Sequence, residues 1–92
     1  MNNINDIFLN HSPAIDLHGL DRITAEILVK DFIKESVLLN IDKIIIIHGV
    51  GKGIIKKHIH NVLLNNKSVK DYKTHYFNQG ITVVELKIKK NC

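Results

Sequence analysis

Lys43-Ile44-Ile45-Ile46-Ile47-His48-Gly49-Val50-Gly51-Lys52-Gly53 reads as a strand running straight into a glycine-rich turn. Four consecutive isoleucines with no polar alternation have the pattern of a central parallel strand covered on both faces. The glycines that follow let the backbone approach an anion closely. A helix opening just after them aims free N–H groups at the same point, so a phosphate is the natural occupant. Ile55, Ile59, Val62 and Leu63 recur at helical spacing and place that helix, which is expected to end around Asn65-Asn66. The loop has neither the GxxxxGK[ST] spacing of a P-loop nor the third glycine of the dinucleotide fingerprint, and so no nucleotide cofactor is expected. A tight turn without a ligand is the alternative reading.

Upstream, Ala14-Ile15-Asp16-Leu17-His18 alternates apolar and polar and stops at Gly19, as a strand with one covered face does. Ile15 and Leu17 then face the core, with Asp16 and His18 together on the opposite face. Asp21 can cap a helix whose apolar positions Ala25, Leu28, Val29, Phe32, Ile33 and Val37 recur every three or four residues, while Arg22, Glu26, Lys30 and Lys34 keep its other side charged. Downstream, Val69 to Phe77, a turn at Asn78-Gln79-Gly80, and Ile81 to Lys89 read as a hairpin. The order is βαβαββ, an α/β chain with a mixed four-stranded sheet. Parallel crossovers are right-handed, so both helices are expected on one face in a two-layer sandwich, with the other face partly open. The two parallel strands end in His18-Gly19 and His48-Gly49, and ligands of open α/β sheets bind at that edge.

The chain has 92 residues, room for one domain, read as residues 14–90 behind a polar tail or linker at 1–13. An apolar share of 45% with 24% charged residues argues against disorder or a fibrous repeat. The longest apolar run is far too short to span a membrane, and Met1 to Asp6 does not have the pattern of a signal peptide. The lone cysteine, Cys92, cannot form a disulfide within the chain. A cytoplasmic location is the expectation, with no membrane partner.

Charge is segregated along the chain. Residues 1–42 hold seven acids and three bases, net −4, whereas 43–92 hold ten lysines against Asp71 and Glu85, net +8. No acid falls between Lys43 and Lys70, where six lysines accompany His48, His58 and His60. Such a face attracts a polyanion, because lysines set near phosphates release counterions. A merely solvated lysine-rich surface is the competing account.

Asp16 and His18, at i and i+2 of a strand, offer a carboxylate and an imidazole on one face, and an imidazole can pass a proton to or from a phosphodiester oxygen or an attacking hydroxyl. Alternatively, Asp16 caps nearby helix amides and His18 bonds a carbonyl. His11, His60 and His75 read as surface residues. No Cys/His spacing suggests zinc and no metal ligand is assigned, although a weak divalent-metal dependence stays open.

Three segments together resemble one family. Ile15-Asp16-Leu17-His18-Gly19-Leu20 looks like the LDLHG motif of the Smr (small MutS-related) domain, and His48-Gly49-Val50-Gly51-Lys52-Gly53 looks like its HGxGxG or TGxGxG motif. Gly80 to Leu86 is similar to its closing strand, and the match spans about residues 14–88. The resemblance implies a βαβαββ two-layer fold, related to the C-terminal domain of a translation initiation factor, and binding of DNA or RNA. It also implies endonuclease activity as in many members, some of which act at stalled or collided ribosomes; a non-catalytic nucleic-acid- or ribosome-binding module is the alternative. Carried across, Asp16 and His18 are the catalytic candidates. Gly19, His48, Gly49, Gly51, Lys52, Gly53, Lys56 and Lys57 are the nucleic-acid-binding candidates. Lys56 stands where arginine is more usual, keeping the charge but losing the bidentate fork. Tyr76-Phe77-Asn78-Gln79 replaces the usual glycine-rich approach to the last strand, and puts two aromatic rings where a base can stack.

Overall fold

The computed structural model describes residues 12–88. Most of the expected tail with its His11, Lys89 of the expected final strand, and Cys92 lie outside them; within the described residues that strand ends at Leu86, short of the expected Lys89. The elements are β1 (Ala14–Asp16), α1 (Arg22–Leu38), β2 (Lys43–Ile47), α2 (Ile54–Leu64), β3 (Val69–Thr74) and β4 (Ile81–Leu86). They form the two-layer α/β arrangement that the hydrophobic pattern implies.

The sheet order is β1-β2-β4-β3. β1 runs parallel to β2, with Asp16 beside Ile47, while β4 lies antiparallel between β2 and β3, with Ile47 beside Ile81 and Thr82 beside Thr74. β1, β2 and β3 therefore progress across the sheet in one direction, and right-handed crossovers put both helices on one side. Leu17, Ile44, Ile46, Val84 and Leu86 from the sheet meet Ala25, Val29 and Ile33 of α1 and Ile59 and Leu63 of α2 in the main core. The four-residue steps within each helix make the contacting stripes. Ile45, Ile81 and Val83, with Ile47 against them, form a second apolar patch on the face that carries no helix.

Local chemistry sets the boundaries. The Asp21 carboxylate accepts the Thr24 amide at 2.7 Å and starts α1 as anticipated. Leu28, expected in its apolar stripe, is on the exposed side. The Leu17 amide still donates to the Ile47 carbonyl (2.7 Å), but Gly19 turns the chain at φ +80° before His18 can pair, so β1 is shorter than the alternation suggested. α2 ends at Asn65, as expected. β3 stops at Thr74 rather than Phe77, because the His75 ring accepts the amides of Phe77 and Asn78 (both 3.2 Å) and folds that segment into the turn.

Candidate nucleic-acid interface

β4 is antiparallel to β2, so the carboxyl ends of β1 and β2 and the β3–β4 turn share one edge of the sheet, together with the amino ends of both helices. The edge is tightly joined. The amides of His48 and Gly49 both donate to the Gly80 carbonyl (2.9 and 3.0 Å). A Cβ on Gly80 would lie 3.1–3.2 Å from the Gly49 backbone, and one on Gly49 would lie 3.6 Å from the His18 Cβ. The two His-Gly pairs, thirty positions apart in the chain, are thus neighbours.

Asp16 is exposed on the helix-free side of β1 and accepts two hydrogen bonds, from the His18 amide (3.0 Å) and the His18 Nδ1–H (2.9 Å). The ring bond, then the amide, hold its carboxyl below the usual carboxylate range. With Nδ1 turned to the carboxylate, Nε2 is the ring nitrogen that faces outward on a side chain that is 75% exposed. The competing expectation for this pair does not describe the geometry: Asp21, not Asp16, caps α1, and His18 bonds the carboxylate rather than a carbonyl.

The glycine loop needs its glycines. Gly49, Gly51 and Gly53 have φ of +84°, +150° and +78°, and a Cβ at Gly51 or Gly53 would project into open space. Gly53 occupies the amino-terminal cap of α2 with no side-chain hydrogen bond, which leaves the first amides of the helix available to an anion. Lys52 and Lys57 are exposed and Lys56 is half-buried.

The side chain of His48, a candidate nucleic-acid-binding residue, is only 5% exposed and turns inward behind the loop. His60 and His75 are half-buried, not surface residues. His48 Nε2 and His60 Nε2 each lie 2.7 Å from the hydroxyl of Thr82, a fully buried residue on the helix side of β4. His48 Nδ1–H donates to the Gly49 carbonyl (3.1 Å), since a carbonyl can only accept. Burial, with the charge of Lys56 adding to it, lowers the His48 pKa against the opposing carbonyl bond. The ring is therefore neutral and its Nε2 accepts. Thr82 must then donate to His48 and accept from His60 Nε2–H, a single-file chain from α2 through β4 to the Gly49 carbonyl. His60 is also lowered, by burial first and then by His48 and Lys56, and its ring meets Tyr72 edge-on at 5.0 Å. This cluster escaped the sequence reading. Its one signal was a threonine on the core-facing side of the last strand, where a hydroxyl needs partners.

His58 donates to Glu26 at 2.8 Å and Lys30 pairs with the same carboxylate at 2.7 Å, so these groups tie α2 to α1 rather than joining the edge. Among the described residues no group of three or more His, Cys, Asp or Glu could hold a metal ion, and no helix is long and apolar enough to cross a membrane.

Comparison with known proteins agrees with this layout. The family model described as Smr domain matches residues 15–87. The MutS2 endonucleases of Clostridium kluyveri and Clostridium acetobutylicum are 32% and 35% identical to the chain over 79 residues, covering 83% of it. The chain spans only about a tenth of the length of each. The crystal structure of the Smr domain of Thermus thermophilus MutS2 superposes with a TM-score of 0.80 at 27% identity, covering 82% of this chain and 98% of that one. Escherichia coli YdaL, a stand-alone small MutS-related protein, shares the fold with a TM-score of 0.76 at 20% identity, covering 80% of this chain and 63% of its own.

Proposed function

The chain belongs to the Smr domain family, and from that premise we propose that it binds DNA or RNA at the edge holding Gly49 to Gly53 and cleaves a phosphodiester bond there. The observation that carries this reading is the closeness of His18 to Gly49, where a Cβ would stand 3.6 Å from the His18 Cβ, so that an oriented imidazole shares the sheet edge with the open amides of the α2 amino end. In the proposed reaction the amides of the loop and of the α2 amino end hold a phosphate, and Lys52 and Lys56 balance the charge that grows on its oxygens. His18 Nε2 takes the proton from the attacking hydroxyl, whether water or the ribose 2′-OH of RNA. The new P–O bond forms as the bond to the departing oxygen breaks; that oxygen takes its proton from a water molecule, and the hydroxide left behind is neutralised when the His18 imidazolium returns the proton it took. Asp16 fixes the tautomer and steadies the imidazolium that forms.

Incubating the protein with end-labelled RNA and DNA, beside His18→Ala, tests the proposal. Cleavage by the parent and its loss in a folded variant are expected. Binding without cleavage by both proteins overturns the chemistry and leaves a docking module.

A further inference from the structure

The β3–β4 turn displays two of the chain's five aromatic residues to solvent, Tyr76 at 88% and Phe77 at 72% exposure, with their rings edge to face at 4.7 Å. Neither contributes to the core. The turn that carries them is well braced. The His75 ring accepts two of its amides, the Asn78 side chain accepts the Gly80 amide at 2.9 Å, and the Ile81 amide returns to the Asn78 carbonyl at 3.1 Å. The same turn is fastened to the glycine loop through the Gly80 carbonyl. Exposed rings on a preorganised turn form a binding surface more than an accident of packing.

Beside Tyr76, on the helix-free face, lies a cleft of about 500 Å³ lined in part by Lys43, Lys73, His75, Asp71 and Glu85. Two cations and two carboxylates leave it close to neutral. That is wrong for a phosphate and suited to the donor and acceptor edge of a base. We infer that Tyr76 and Phe77 form a stacking subsite for an unpaired base of the strand whose phosphate lies at the glycine loop, giving the domain a preference for single-stranded nucleic acid. A base within a duplex is already stacked on both faces and cannot reach these rings. The inference rests on the proposed nucleic-acid reading, so its test separates the two.

Affinity is measured for a labelled single strand, for a strand of equal length with abasic sites throughout, and for a blunt-ended two-strand duplex, using the parent chain, the Tyr76→Ala/Phe77→Ala double variant and Tyr76→Leu. The abasic strand and the duplex report phosphate binding alone. The parent should prefer the base-bearing strand to the abasic strand by about 5- to 150-fold, the range for one stacked base. The double variant should lose that gap and keep its affinity for the other two probes. Tyr76→Leu, which retains apolar bulk without a π-face, should lose much of it. A gap that survives the double variant, or no gap in a parent that binds the abasic strand, overturns the subsite and leaves phosphate binding intact. Weaker binding of all three probes by the double variant also overturns it, because the rings then act on the fold and not on bases. A parent that binds none of the probes overturns the nucleic-acid reading and the subsite together.

Discussion

Thr82→Val replaces a hydroxyl by a methyl of nearly the same size in the fully buried centre of the sheet, so packing is conserved and only the hydrogen-bond chain changes. Two bonds of 2.7 Å disappear. His48 Nε2, buried behind the loop, is left as an orphaned acceptor, which costs about 1–3 kcal/mol. Half-buried His60 can turn to water, and its loss is the ordinary net value of about 0.5–1.5 kcal/mol. The sum is roughly 1.5–4.5 kcal/mol, or about 6–36 °C in Tm for a domain of this size. Urea and thermal unfolding followed by circular dichroism measure it. Thr82→Ser keeps the hydroxyl and drops only a methyl, so its cost should stay near 1 kcal/mol or below. A loss under about 0.5 kcal/mol in Thr82→Val, or equal losses in the two variants, would refute the single-file assignment of donors and acceptors. The glycine loop should also loosen, seen as faster amide exchange at Gly49 in Thr82→Val but not in Thr82→Ser.

Three further outcomes are expected. The pKa values of His48 and His60 are lowered in the fold, so the unfolded chain binds more protons below histidine's ordinary value of about 6.5. Stability should thus be flat above that pH and fall as pH drops beneath it, and His60→Gln, measured by urea titration at several pH values, should shrink the fall. Exchanging Lys52, Lys56 and Lys57 for glutamate should weaken binding to every sequence and flatten the slope of log affinity against log salt; an unchanged slope removes these lysines from the interface. Gly51→Val should strain the loop by about 1–3 kcal/mol at its φ of +150° and place a side chain in the open space of the loop, giving a folded protein with reduced affinity. Unchanged binding by that variant places the phosphate elsewhere.

Much of this was legible in the residues because the deciding patterns are local. The Ile44 to Ile47 run, the four-residue steps of Ala25, Val29 and Ile33, and the Asp21 cap each specify an element without help from the rest of the chain. Two consecutive crossovers fixed the helix side, and with it the shared edge of Gly19 and Gly49. The position of β4 between β2 and β3 was not legible, since it depends on long-range pairing that alternation alone does not encode. The early end of β3 was hidden for a different reason. Tyr76 and Phe77 have strand-forming side chains, but a histidine accepting backbone amides outweighs that preference. The inward turn of His48 and the burial of His60 follow from a threonine thirty-four positions after one and twenty-two after the other, a relation that spacing cannot reveal.

The central claim is that His18 moves the proton. Single-turnover cleavage of end-labelled RNA and DNA by the parent and by His18→Ala, with folding checked by circular dichroism and affinity measured in parallel, tests it most directly. A fall of about 10²–10⁴-fold in rate with affinity little changed is the expected result. A folded His18→Ala that cuts as fast as the parent contradicts it.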